Sequence, residues 1–220
     1  MKLFRRFTDL GIEGSAARRY DRDSRKHRMK EMKNYAQEVS KYLRQGNAVL
    51  EIAPGPGYLA LELAKLGTFW IVGLDISKTF VDIARKNAKA AHLPVEFLQG
   101  SVSEIPFKEA MFDFVVCTAA FKNFRKPALA MKEMYRVLKP GGSVMIIDMN
   151  RDAPAGEFKK LIGDMGLKGF QAFWMKLVFL LVLRNAAYRR KDFENFISQI
   201  PASDFEIHEE GIGLKVLIRK

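Results

Sequence analysis

Residues 50–64 read LEIAPGPGYLALELA: an apolar run of strand character, a loop of alternating prolines and glycines, then apolar residues at helical spacing. Gly55, Gly57 and Ala60 satisfy the dinucleotide spacing G-x-G-x-x-G/A, and Asp75 follows Gly55 by 20 residues, where a ribose-binding acid belongs. A strand, a tight glycine loop and a helix form the unit that opens an α/β nucleotide-binding fold, with the ligand beyond the strand's carboxyl end.

The same alternation extends outward in both directions. Upstream, Met29, Met32, Ala36, Val39 and Leu43 recur at helical spacing among charged residues, predicting an amphipathic helix that Gly46 can end. Downstream, AVLEI (48–52) and a helix over Tyr58–Leu66 are followed by FWIVGLD (69–75), a helix over Lys78–Ala91 behind Ser77 as N-cap, and VEFLQ (95–99). FDFVVC (112–117), a helix over Pro127–Leu138 stopped by KPGG, and SVMIID (143–148) continue the series. Short strands apolar on both faces and separated by helices predict a parallel sheet covered on both sides.

After Asp148 the pattern changes. FQAFWMKLVFLLVL (170–183) is apolar all round except for Gln171 and Lys176, and the basic Arg184, Arg189, Arg190 and Lys191 follow. Its 14 residues are too few to span a bilayer, so it reads as a buried or lid helix, with a membrane-interface helix as the alternative. A helix over Asp192–Gln199 then precedes DFEIHEE (204–210) and GLKVLIRK (213–220), whose alternation across a glycine turn predicts an antiparallel hairpin. The predicted fold is a doubly wound, mostly parallel, seven-stranded Rossmann-like sheet with an antiparallel C-terminal hairpin and a helical insertion after strand five. Its segments are a basic N-terminal helical arm (1–46), a cofactor-binding core (47–150), a helical lid (151–191), and a final helix and hairpin completing the same sheet (192–220).

Composition narrows the function classes. Of the 220 residues, 48% are hydrophobic and 28% charged, which is the balance of a folded globular chain rather than a disordered one. Cys117 is the single cysteine, so an internal disulfide and a thiolate metal cage are excluded, and His27, His92 and His208 lack ligand spacing; no metal is expected. The N-terminus does not read as a secretory signal, and the expected compartment is the cytoplasm. Net charge is +12, and residues 1–45 carry +7 of it, so the arm can meet an anionic membrane surface, a nucleic acid or an acidic substrate; the alternative is a solvated helix face.

Two residues in the loop unit argue against a diphosphate ligand. Pro56 removes an N–H from a loop that would bind phosphate through its N–H groups, and Glu51 places a carboxylate where it repels an anion. S-adenosylmethionine, which has an ammonium, a sulfonium and no phosphate, suits both: Glu51 can pair with the amino group and Asp75 can accept from both ribose hydroxyls. The competing reading is that Glu51 and Asp75 only cap helices. A nicotinamide-dependent dehydrogenase is a distant alternative, because too little chain follows the nucleotide unit for a substrate domain.

VLEIAPGPG, VGLDIS, FLQGSVSEIPF, FDFVVCTAAFKNF and EMYRVLKPGGSVMIIDM stand in an order and spacing that resemble the class I S-adenosylmethionine-dependent methyltransferases. The likeness covers residues 48–149 and is greatest to the methyltransferase-11 group and the ubiquinone and menaquinone C-methyltransferases. The resemblance implies that Glu51, Ala53, Gly55 and Gly57 line the methionine part and that Asp75 holds the ribose. Ile76 would pack on the adenine, Ser101 and Val102 would meet its edge, and Thr118 would lie beside the transferred methyl group. AARRYD resembles the segment of the quinone enzymes in which an aromatic residue closes over the cofactor, which adds Tyr20. Two positions depart from the pattern: Ala53 replaces its first glycine, so the turn must avoid positive φ or accept strain, and Ser101 replaces an aspartate.

Methyl transfer from a sulfonium is an in-line displacement, and a general base is needed only if the acceptor must lose a proton. Tyr20, His27 and Asp148 are the candidates for that base. Phe121, Asn123 and Phe124, with Phe170, Phe173 and Trp174 from the apolar segment, are expected to line a pocket for a small lipophilic or aromatic acceptor, unless they are ordinary core. Two other functions stay open: an RNA methyltransferase using the basic arm, and a non-catalytic cofactor-binding or membrane-surface protein.

Overall fold

The computed structural model describes residues 11–164 and 184–220. Helices α1 (Gly14–His27) and α2 (Met29–Ser40) precede the alternating series β1 (Ala48–Ile52), α3 (Tyr58–Ala64), β2 (Trp70–Asp75), α4 (Lys78–Ala91) and β3 (Val95–Gln99). β4 (Phe112–Thr118), α5 (Pro127–Val137) and β5 (Leu138–Met149) continue it, followed by α6 (Ala155–Asp164), α7 (Arg190–Ile197), β6 (Asp204–Glu210) and β7 (Gly213–Arg219).

The strands form one sheet in the order β3-β2-β1-β4-β5-β7-β6. β1 pairs in parallel with both β2 and β4, while β7 runs antiparallel between β5 and β6. The order reverses between β1 and β4, and their carboxyl ends open the crevice in which such sheets bind ligands. This is the predicted architecture, terminal hairpin included.

Adjacent residues of the central strands point to opposite faces, so each strand feeds two cores. Leu50, Ile52, Val115, Cys117, Val144 and Ile146 pack with Met131 and Met134 of α5 and Phe193 of α7. Val49, Phe114, Val116 and Met145 pack with Met32, Ala36 and Val39 of α2, Leu59 and Leu63 of α3, and Val81 and Ala84 of α4. Ser77 caps α4 as predicted, accepting from the Phe80 N–H at 3.0 Å.

The N-terminal arm and β5 differ from the sequence reading. Helix α2 ends at Ser40, before Gly46, and a second helix, α1, precedes it across a break at Arg28 (φ −111°, ψ −4°). Only Ala17 and Ser24 of α1 are buried, so the helix has almost no apolar stripe to read. β5 begins at Leu138, because that residue already pairs with Phe112 before the register shifts across KPGG and resumes at Ser143 opposite Phe114. The apolar segment 170–183, with Phe170, Phe173 and Trp174, lies outside the described residues.

Candidate active site

A cleft at the carboxyl ends of the central strands is lined by Tyr20, Ser24, Arg28 and Met32 from the arm, Glu51, Ala53, Pro54, Gly55, Pro56 and Tyr58 from the β1–α3 unit, and Thr118 from β4. Five of the predicted residues, Tyr20, Glu51, Ala53, Gly55 and Thr118, therefore meet around one space.

The loop within this cleft has its backbone donors engaged. Pro54 and Pro56 have none; the Ala53 N–H donates to the Leu74 carbonyl (2.8 Å), the Gly55 N–H to Asp75 Oδ2 (2.9 Å) and the Gly57 N–H to the Pro54 carbonyl (3.0 Å). The Ala60 N–H, in the first turn of α3, donates to Glu51 Oε2 at 2.9 Å. A phosphate placed against residues 53–57 would find no free N–H to bind.

Glu51 is buried, and its Oε1 has no hydrogen bond among the described residues; since no sealed side-chain atom there lacks a partner, this oxygen faces open space. Burial, with repulsion from Asp75 added, pushes its pKa up to about 8. Asp75 is buried as well, and burial raises its pKa, while bonds from the Gly55 N–H and from the Ser77 N–H to Oδ1 (2.8 Å) oppose that rise. Glu51 thus does cap α3, and Asp75 ties the glycine loop to the start of α4. Each carboxylate still keeps unused lone pairs, so capping and ligand binding are compatible.

Ala53 has φ +54°, so the turn accepts strain rather than avoiding positive φ, a cost of about 1 kcal/mol. Gly57, at φ +82°, ends the loop where an added Cβ would sit 2.5 Å from the Phe97 ring. Tyr20 from α1 lies over Gly55, sets its ring edge-on to Phe80 at 5.5 Å, and accepts a 2.6 Å hydrogen bond from Arg28 Nη1.

The other predicted residues have separate surroundings. Ile76 is exposed just beyond β2, Ser101 Oγ accepts from the Ser103 N–H (3.1 Å), and Val102 packs partly against the core. Asn123 is exposed, whereas Phe121 is fully buried among Phe124, Tyr188, Phe193 and Phe196, so it supports the site from behind and does not face a ligand. His27 is exposed at the end of α1 and does not line the cleft.

Asp148 is buried and already engaged. Its Oδ1 accepts from Lys122 Nζ (2.8 Å) and the Met149 N–H (2.7 Å), and its Oδ2 accepts from the Lys122 N–H (2.8 Å). Lys122 Nζ donates also to the Ala119 carbonyl at 2.6 Å, so a buried ion pair fixes the loop after β4.

Sequence reasoning missed Lys122 as the partner of Asp148, and missed the cleft residues Ser24, Arg28, Met32 and Tyr58. The Tyr58 hydroxyl donates to Asp21 Oδ1 at 2.6 Å, and this bond joins α3 to the AARRYD segment, so that motif held a readable trace of the contact. Arg28 and Met32 had no such signal. Among the described residues, no group of three or more His, Cys, Asp or Glu could hold a metal ion, and no helix is long and apolar enough to cross a membrane.

Comparison with known proteins matches residues 50–146 to a family model described as a methyltransferase domain. A demethylmenaquinone methyltransferase from Deinococcus radiodurans is 37% identical over 101 residues, covering 46% of this chain and 42% of that protein. Its counterpart from Lactococcus lactis is 30% identical over 154 residues, 69% of this chain and 60% of that protein. This chain thus spans about half the length of the curated relatives it matches. A crystal structure from Methanococcus maripaludis, provisionally assigned as an S-adenosyl-L-methionine-dependent methyltransferase, superposes with a TM-score of 0.76 at 25% identity, covering 96% of this chain and 94% of that one. The expected methyltransferase domain, its Rossmann-like fold and its cofactor class agree with these comparisons.

Proposed function

On the premise that residues 50–146 form a methyltransferase domain, we propose that the chain binds S-adenosylmethionine in the cleft and methylates a small lipophilic aromatic acceptor of the quinol class. One observation carries the cofactor reading. Two buried carboxylates, Glu51 and Asp75, stand at the ends of adjacent strands, beside a loop whose N–H groups are absent or engaged. That set of acceptors receives hydrogen bonds from an ammonium and ribose hydroxyls and rejects a phosphate. The cleft-facing Oε1 of Glu51 is the acceptor for the ammonium, and the unused lone pairs of Asp75 are those for the ribose.

The acceptor class rests on the curated relatives, among which those from Deinococcus radiodurans and Lactococcus lactis are both named for demethylmenaquinone. When bound, the sulfonium supplies an electrophilic methyl group for in-line displacement. The chain's contribution is positional: Tyr20 covers Gly55, Thr118 walls the cleft from β4, and the Lys122–Asp148 pair holds the loop after β4. Asp148 does not act as a free base, because Lys122 and two backbone N–H groups occupy its oxygens.

The surface supports a peripheral membrane contact for this reading. Arg18, Arg22 and Lys26 of α1 and Lys86 and Lys89 of α4 are exposed, and Arg25 Nη2 joins these helices by donating to Asn87 Oδ1 at 3.0 Å. These exposed basic side chains of α1 and α4 suit an anionic lipid surface from which a lipophilic acceptor would arrive. Incubation with methyl-labelled S-adenosylmethionine and reduced naphthoquinones, with and without anionic vesicles, tests the proposal. Label should enter the quinol; label transfer to RNA alone would contradict it.

A further inference from the structure

Arg28 is the single cation among the described residues that line the cleft, and nothing in its sequence surroundings marked it. It sits at the break between α1 and α2, with its side chain 28% exposed. Its Nε donates to Glu31 Oε2 at 2.8 Å and its Nη1 to the Tyr20 hydroxyl at 2.6 Å. Glu31 Oε1 accepts from the Tyr35 hydroxyl at 2.8 Å, so Glu31 is itself held from both sides. A guanidinium has five N–H donors in a planar fork, and among the described residues two are engaged. Nη2 and the second Nη1 hydrogen are left over, and the residue lines the same cleft as Glu51.

The proposed ligand needs a group of this kind. Its methionine end carries an ammonium and a carboxylate on one carbon, so a site that offers Glu51 to the first must avoid repelling the second. Glu51 and Asp75 both disfavour an anion, and a fork donor beside them is the group that reverses this for a carboxylate. From the proposed function, and resting on that reading, we infer that Arg28 receives the carboxylate of the cofactor's methionine end, with Tyr20 and Glu31 as the residues that position it. The arm thereby contributes directly to the cofactor site, and closing α1 over the β1 loop completes both charges of the zwitterion site.

The test compares two ligands on the full chain by isothermal titration. S-adenosylhomocysteine has the amino-acid carboxylate; 5′-methylthioadenosine has the same nucleoside and thioether without it. Arg28→Gln should weaken S-adenosylhomocysteine by about 10- to 100-fold, the loss of a charge-assisted pair, and change 5′-methylthioadenosine by about threefold or less. Arg28→Lys, which keeps the charge and helix propensity but loses the fork, should show the same selectivity with a smaller loss, and it carries the test if the glutamine variant does not fold. Glu31→Gln should reproduce part of the selective loss if it positions the guanidinium. Equal weakening of both ligands, or unchanged S-adenosylhomocysteine affinity, would overturn the inference while leaving the cofactor assignment intact. A wild-type protein that binds neither compound would overturn both.

Discussion

Replacing Glu51 with glutamine sets stability against binding, with opposite signs. In the free protein Glu51 is buried, its bond among the described residues is from the Ala60 N–H, and Asp75 adds repulsion, so its pKa rises from 4.5 to about 8. The unfolded chain keeps the ordinary value, so between those two pH values the folded state holds more protons than the unfolded one. Stability from this group is therefore fully present below 4.5 and declines as pH rises through that window, levelling off above about 8. At about 1.4 kcal/mol per pH unit, the charging penalty is on the order of 4–5 kcal/mol. Water at the cleft-facing oxygen lowers this, and about 2 kcal/mol is the expected size. Glu51→Gln keeps the shape and an acceptor for Ala60 but does not titrate. In urea unfolding at pH 5 and pH 8.5, the variant should gain about 2 kcal/mol on the wild type between the two conditions. Its S-adenosylhomocysteine affinity should nevertheless be at least about tenfold weaker at pH 8.5, because a charged partner for the ammonium is gone. A stability difference that does not change with pH, or a variant that loses ground at pH 8.5, would refute the reasoning.

Other substitutions test the loop and the strand ends. Ala53→Gly should raise stability by about 0.5–1 kcal/mol by relieving the positive φ, read as a higher thermal midpoint; a lower one would contradict the strain assignment. Gly57→Ala should cost about 3 kcal/mol, because the added methyl group meets Phe97 and φ is +82°. Asp148→Ala should cost about 3–5 kcal/mol by stranding Lys122 in a buried site, while Asp148→Leu combined with Lys122→Met should cost much less than the two single changes summed. Denaturant midpoints of the four proteins close that cycle.

The sheet was readable because its strands are apolar on both faces and its turns carry glycine, proline and a serine cap, all local signals. The terminal hairpin was readable for a related reason, since alternation in 204–210 and 213–220 differs from the fully buried pattern of β1. Glu51 and Pro56 could be weighed in sequence because each acts at a known end of a strand or loop. Arg28 could not, because its place depends on how a helix with two buried residues folds back over the β1 loop. The pairing of Asp148 with Lys122 spans 26 residues, across helix α5 and most of β5, and neither residue's neighbours announce it. Phe121 shows the limit from the other side: an aromatic after β4 reads alike as pocket wall or core, and packing against Phe193 decides for core.

The central claim is that this cleft accepts a cationic, phosphate-free nucleoside through two buried carboxylates. Calorimetric titration of the wild-type chain and Asp75→Ala with S-adenosylmethionine and with NAD tests it most directly. The wild type should bind S-adenosylmethionine saturably, Asp75→Ala should lose that binding, and NAD should give no heat. A folded wild-type protein that takes up NAD and leaves S-adenosylmethionine unbound would contradict it.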